Sequence, residues 1–233
     1  MTILKEEIVF GLLKPTTASN IVQQCKSLII ESFFNHGSLE CELQKIYPKE
    51  QVYKFISEYV SNLAEASIPH EISVYAFEKH TEQVVGVFLN GNCILEQFDL
   101  EAAQDPILQF LEQLDNVYFQ HRQNEGQYFH GVMVGVHPNF SRRGIFKNLC
   151  LLSFQVARRK NFKFFIAECS SPYTYSTLRK FGATVEASCK YAEFKYNGTA
   201  PFQGLQGECC LVQLSHEQLQ EALNQNQPPP IDL

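Results

Sequence analysis

Three groups of residues in this chain have types and spacing suited to chemistry. The first is a run of hydroxyls, Ser170, Ser171, Thr174 and Ser176, directly after Cys169. Hydroxyls in such a run can pass protons, and they can equally cap the helix that Pro172 opens. The second is the basic turn Ser141-Arg142-Arg143-Gly144-Ile145-Phe146-Lys147, which follows the apolar run Val132–Val136 and opens a helix. Backbone N–H groups at a helix start lack intrahelical partners and favour negative charge, so cations beside them suit a phosphate. The bland alternative is an ordinary strand-to-helix turn with solvated arginines. Neither a G-x-G-x-x-G fingerprint nor a Walker A loop is present. The third group is Asn35-His36-Gly37-Ser38-Leu39-Glu40, with Glu42 beyond it. A loop histidine or carboxylate poised near neutral pH can act as a general base; otherwise it is simply solvated. Cys169 adds a candidate thiol nucleophile beside Ser170.

The elements that would position these groups are legible from periodicity. Ile8–Leu13 reads as a strand stopped by Pro15, with Thr16, Thr17 and Ser19 as candidate caps for a helix reaching Phe34. Asn35–Ser38 ends that helix. Pro48 starts a second helix, with Val52, Phe55, Ile56, Tyr59, Val60 and Leu63 on one face. Residues 72–77 and 84–89 form a hairpin, and Asp105-Pro106 begins a helix through Tyr118. A strand at 128–136, a helix at 144–159, a strand at 163–168 and a short helix at 172–180 follow. Residues 185–194 and 208–214 read as two more strands. The expected arrangement is one mixed α/β domain over 1–224, with 225–233 as a flexible Pro-rich tail.

Bulk properties narrow the function classes. The chain has 233 residues, 45% hydrophobic, with a formal net charge of −6, which argues against a broad nucleic-acid-binding face. Residues 1–7 have no apolar signal core, and no run approaches the roughly 18 apolar residues of a membrane helix. The expectation is a cytoplasmic protein that binds neither nucleic acid nor membrane, as a monomer or dimer. The 8 cysteines include no C-x-x-C pair, so free thiols and no metal site are expected.

On these residues the chain resembles the GNAT superfamily of acetyl-CoA-dependent N-acetyltransferases, and within it the insect-type arylalkylamine (dopamine) N-acetyltransferases. Phe33-Phe34 with Leu39 resembles that group's Phe-Phe-x-x-Glu-Pro-Leu loop, and Val85–Gly91 its second hairpin strand. Val136–Leu149 is similar to its CoA motif. Cys169-Ser170-Ser171, Tyr173 and Thr174, then Lys180-Phe181-Gly182, resemble its Cys-Ser-Ser-x-Tyr-Ser segment ending at a glycine. The resemblance implies a central seven-stranded mixed sheet flanked by helices. It implies acetyl-CoA as co-substrate, with pantetheine pairing along the backbone at Val134 and Val136. Pyrophosphate would rest on Ser141, Arg142, Arg143, Gly144, Ile145, Phe146 and Lys147. A small-molecule amine would attack the thioester directly, with Ser170 and Thr174 in the proton machinery. Phe33, Phe34 and Tyr173, and also Tyr191, would line the amine pocket.

Three departures bear on the mechanism. Ser141 stands where the motif has Arg or Gln, and Phe146 where it has a third Gly or Ala. Gly37 stands where the insect group has its glutamate base, which leaves His36, Glu40 or ordered water for that task. Leu178 stands where other superfamily members carry a tyrosine acid, an absence the insect group shares. The expected activity is acetyl transfer to a small primary amine. Its rivals are a catalytically degenerate CoA binder acting as sensor or scaffold, and an interaction module without CoA.

Overall fold

Alternating apolar positions in short β-branched runs make the strands, and runs with a 3.6-residue apolar period make the helices. In the computed structural model, which describes residues 7–92, 105–120 and 127–232, these become a single sheet with helices on both faces. The elements are β1 (Ile8–Leu12), α1 (Ser19–His36), α2 (Ser38–Leu43), α3 (Lys49–Ser67), β2 (Val74–Glu78) and β3 (Gln83–Gly91). They continue with α4 (Pro106–Phe119), β4 (Tyr128–Val136), α5 (Ile145–Arg159), β5 (Phe164–Cys169) and α6 (Pro172–Lys180). The chain closes with β6 (Thr184–Lys190), β7 (Glu208–Ser215), α7 (His216–Gln225) and β8 (Ile231–Asp232).

The sheet order is β6-β7-β5-β4-β3-β2-β1-β8. Strands β1 to β7 form the expected seven-stranded mixed sheet, and the two-residue β8 adds to its edge, parallel to β1 at Phe10 and Gly11. That pairing lies within 225–233, the segment expected as a flexible tail. One core cluster gathers Leu28 and Ile29 of α1, Val52, Ile56 and Val60 of α3, and Phe110 and Leu114 of α4. The other gathers Leu149, Leu152, Phe154 and Val156 of α5 with Leu219 and Ala222 of α7.

Two elements differ from the sequence reading. Residues 38–43, read as loop, form α2, because Leu39 and Leu43 lie one turn apart and both are buried. The strand expected over 185–194 ends at Lys190 and passes into a 3-10 turn, Tyr191–Glu193, which turns the Tyr191 ring into the core. Residues 1–6, on which most of the signal-peptide reading falls, and Cys93 lie outside the described residues; the other cysteines are all unpaired. Among the described residues no helix is long and apolar enough to cross a membrane.

The feature that builds the site is the parting of β4 from β5. The two strands run parallel and share a register only at Tyr128–His130 against Phe164–Ile166. Beyond that, β4 continues on β3 to Val136 and β5 continues on β7 to Cys169. Opposite β3 the register jumps, with Asn90 facing Gly131 and Leu89 facing Met133, so Val132 has no partner across the ladder. A bulge of this kind bends its strand and increases its twist. Gly131 sits at the turning point, where a Cβ would come within 2.6 Å of the Phe165 ring and 2.8 Å of Phe88. Gly131→Ala is therefore expected to cost about 1–3 kcal/mol by overpacking. Urea unfolding checks this: the midpoint should fall with an unchanged m-value.

Candidate functional site

Past His130, the edge of β4 that faces β5 has no strand beside it among the described residues, so its backbone N–H and C=O groups need another partner. Val132, Val134 and Val136 along this stretch are half-buried, and Val134 and Val136 pack against the α5-side core. The strand leads through a 3-10 turn, Pro138–Phe140, into the basic turn. Arg142 and Gly144 both take left-handed backbone there, at φ 63° and 76°. Alternation of this kind turns successive N–H groups toward one concavity. Gly144 caps α5 without a side-chain hydrogen bond, and the first turn holds no acid. The amides of Ile145, Phe146 and Lys147 therefore begin the helix with their donors uncapped by side chains. Ser141, Arg142, Arg143, Gly144 and Lys147 are exposed. Arg143 donates to the Asn139 carbonyl at 2.9 Å and covers the Phe140 ring at 4.8 Å, so its charge is held beside the turn. The Phe146 ring tilts against Phe88, 6.5 Å between centroids, and points to the core rather than over the amides.

At the far end of β5 lies a cavity of about 360 Å³. Ser38 of α2, Ser170, Tyr175, Tyr191, Gly207 and Glu208 are among its lining residues. The Tyr191 hydroxyl donates to the Ser170 carbonyl at 3.1 Å, and its ring stacks on Phe110 at 5.5 Å. Ser170 is thus fixed from below. Ser171 accepts from the Tyr173 amide at 3.3 Å and caps α6, the structural half of the two readings its sequence position allowed. Cys169 also lines the cavity, but burial, then Glu168 and Cys210, push its thiol well above the usual range. A thiol so held is not a thiolate at neutral pH, which removes the nucleophile reading for Cys169.

The remaining candidates separate. His36 ends α1 and is exposed. Thr174 is half-buried on the first turn of α6, and Tyr173 beside it is 84% exposed; neither lines the cavity. Phe33 and Phe34 are half-buried against the α1-side core, Phe34 meeting Tyr53 edge-on at 5.3 Å. Glu40 is only 7% exposed. Its Oε2 lies where a side chain on residue 37 would begin: a Cβ on Gly37 would meet that oxygen at 2.1 Å. The absent side chain at 37 and the carboxyl of Glu40 therefore share one volume, next to the cavity-lining Ser38.

Burial pushes the Glu40 carboxyl up to about 7, with Asp105 adding to the rise against a hydrogen bond from its own amide. Asp105 caps α4 by accepting from the Ile107 and Leu108 amides, and burial outweighs those bonds to bring it to about 6. Sequence reasoning missed Asp105 as a neighbour of Glu40, and no local signal could have joined the two. Among the described residues no three His, Cys, Asp or Glu side chains gather as a metal site.

The raised pKa has a stability consequence. A carboxyl at about 7 in the fold, against an ordinary 4.5, binds its proton more tightly when folded. Its contribution is present below the ordinary value and is lost as pH rises through 7. Glu40→Gln escapes that loss. Its stability relative to the parent chain should climb between pH 4.5 and 7, by on the order of 3 kcal/mol, and then level off. Urea unfolding at a series of pH values reads the difference directly.

No family model matches the chain, and no curated protein sequence matches it significantly. Solved structures do. The C-terminal condensation domain of Ebony, in complex with β-alanyl-dopamine, superposes with a TM-score of 0.72 at 16% identity over 91% of this chain and 100% of that one. The Drosophila melanogaster polyamine N-acetyltransferase, which forms N-acetylagmatine, gives 0.65 at 13% identity over 90% and 100%. Arylalkylamine N-acetyltransferase 2 from Aedes aegypti gives 0.64 at 16% identity over 90% and 99%. At such identities the likeness speaks for the backbone, and the backbone of this chain is the GNAT fold of the amine N-acetyltransferases.

Proposed function

We propose that this chain transfers an acetyl group from acetyl-CoA to a small primary amine, an arylalkylamine being the class its residues suit best. One observation carries the reading. Glu40 offers a buried carboxyl, tuned near neutral pH, in the volume left by Gly37 and next to the cavity that Ser38 and Ser170 line. An efficient general base has a pKa near the working pH, and burial is the usual means of raising a carboxyl to it. The carboxylate that the resemblance assigns to position 37 is supplied here from position 40, one helical turn onward.

The chemistry follows from the parts. An extended pantetheine arm supplies the amide partners that the unpaired edge of β4 needs, through Val134 and Val136. Its pyrophosphate suits the uncapped amides of Ile145–Lys147, with Arg142, Arg143 and Lys147 around them. The amine arrives as an ammonium, favoured by the acidic chain, and Glu40 takes a proton from it. The free amine attacks the thioester carbonyl, the C–N bond forms and the C–S bond breaks. Backbone N–H at the Val132 bulge is the candidate donor to the oxyanion. Ser170, which lines the cavity, is the hydroxyl that protonates the departing thiolate, with Thr174 one turn along α6 behind it. Phe33 and Phe34 give the amine an apolar wall.

The Ebony domain holds an amide of dopamine whose acyl part is larger than acetyl. That favours, as a second reading, the same attack on a longer acyl thioester, which a cavity of about 360 Å³ accommodates.

Free CoA released from acetyl-CoA, separated chromatographically so that protein thiols do not count, tests the reading with dopamine, tryptamine, phenethylamine and agmatine. With an accepted amine, kcat/KM should rise with pH to a plateau above a midpoint near 7. Glu40→Gln should lose that limb and on the order of 100-fold to 10,000-fold in kcat, while His36→Gln leaves kcat unchanged. Arg142→Ala with Arg143→Ala should raise the acetyl-CoA KM. A Glu40→Gln variant with full activity would sink the assignment of the base. Saturating CoA should also raise the melting temperature, by about 2.7 kcal/mol of added stability at a hundred times its Kd.

A further inference from the structure

The early end of β6 has a consequence for Ser170. β6 stops at Lys190, and the 3-10 turn Tyr191–Glu193 drops the Tyr191 ring among three phenylalanines. The ring stacks on Phe110 at 5.5 Å. Phe110 meets Phe194 at 5.2 Å and Phe202 at 5.4 Å, both edge-on, and those two rings stack on each other at 5.6 Å. All four side chains are buried. A phenylalanine at 191 would fill such a nest without needing a partner. A phenol brings a hydroxyl whose burial costs free energy unless it is hydrogen-bonded. Here the hydroxyl donates to the Ser170 carbonyl at 3.1 Å.

That bond reaches across a strand. β7 lies between β6 and β5 in the sheet, so Tyr191 at the end of β6 ties down the chain leaving β5. The ladder of β5 on β7 closes at Cys169 opposite Cys210. The bonding of α6 starts at Ser171, whose carbonyl accepts from the Tyr175 amide at 3.0 Å. Ser170 falls between the last rung and the first helical bond, and Tyr191 gives its carbonyl a partner there. Both residues line the cavity.

The proposed reaction makes the placement of Ser170 matter. Its hydroxyl gives a proton to the sulfur as the C–S bond breaks and takes one from the nitrogen that has attacked, so it ends as a hydroxyl again. One oxygen must therefore meet two reacting atoms, and a misplacement of about 1 Å costs about 100-fold in rate.

We infer that Tyr191 is a positioning residue for this step: its phenol, locked by the aromatic nest, fixes the Ser170 peptide and so aims the catalytic hydroxyl. The inference rests on the acyltransferase reading. The phenol transfers no proton itself. Its hydrogen is committed to a carbonyl, and burial, then the thiols of Cys209, Cys210 and Cys169 and the Glu208 carboxylate, push its pKa well above the ordinary value.

The test uses the whole chain. Tyr191→Phe keeps the ring and its stacking and removes only the bond to Ser170. It should lower kcat about 10-fold, with the acetyl-CoA KM and the rise in melting temperature on CoA binding unchanged. In a Ser170→Ala background the same substitution should change kcat no further, because no hydroxyl is left to aim. A general loosening of the fold would act in both backgrounds alike. Tyr191→Phe with full kcat overturns the inference and leaves the acyltransferase reading standing. So does an equal loss in both backgrounds, a fall in CoA affinity together with kcat, or a Ser170→Ala variant with full kcat. Absence of turnover by the parent chain with every amine tried overturns both.

Discussion

The structure depends on a ladder that stops early. β4 and β5 share a register over Tyr128–His130 and Phe164–Ile166 and then diverge, although each continues as a strand. Each keeps its other neighbour, β3 or β7, so neither strand frays. Only the edges facing each other lose their partners. Backbone amides and carbonyls in such a place must bond to something, and a strand-like ligand with its own amides meets that need at little loss of order. The bulge at Val132 and the close contact of Gly131 with Phe165 and Phe88 set where the parting occurs. The same strand then delivers the chain into the left-handed backbone at Arg142 and Gly144 and the uncapped start of α5. One local defect in a sheet thus aligns a strip of backbone amides with the uncapped start of a helix at its end.

The second organising feature is the carboxyl at position 40. A residue other than glycine at 37 would drive its Cβ into Glu40 Oε2 and toward the Phe33 carbonyl at 2.6 Å. Gly37 is therefore the space into which the Glu40 carboxyl folds. The arrangement has a cost. A carboxyl this deeply buried, next to Asp105, resists ionisation, and the folded state loses stability whenever it does ionise. Carrying such a group is the familiar exchange of stability for a poised reactive residue. His36, by contrast, is exposed at the end of α1.

Much of the fold was legible because it is written locally. The apolar run of β4, the basic turn, the amphipathic α5 and the serine cap of α6 are each set by residues a few positions apart. α2 escaped because it is only six residues long, and only the spacing of Leu39 and Leu43 marks it. β8 escaped because a two-residue parallel pairing with β1 depends on the opposite end of the chain. Within the site, Ser170, the basic turn and the choice of Glu40 as a candidate came from residue type. The burial of Glu40 did not, because it requires Gly37 and Asp105 together. Nor did the His130–Glu168 pair, since both residues read simply as positions in two strands. Packing joined what sequence distance kept separate.

The two buried glutamates then stand in opposite states for stated reasons. Burial with an acidic neighbour raises Glu40, so that it can hold or release a proton near neutral pH. Burial also acts on Glu168, but His130 reverses it and keeps that carboxyl ionised. Environments that drive like groups apart are how a single site separates a proton acceptor from a fixed charge. An amine that attacks a thioester needs both. Its first proton must go to a group that accepts it reversibly before attack. The charge that builds afterwards must be met by groups that do not themselves titrate. Glu40 lies on α2, two residues from the cavity-lining Ser38, and Glu168 lies on β5 beyond the last residue paired with β4.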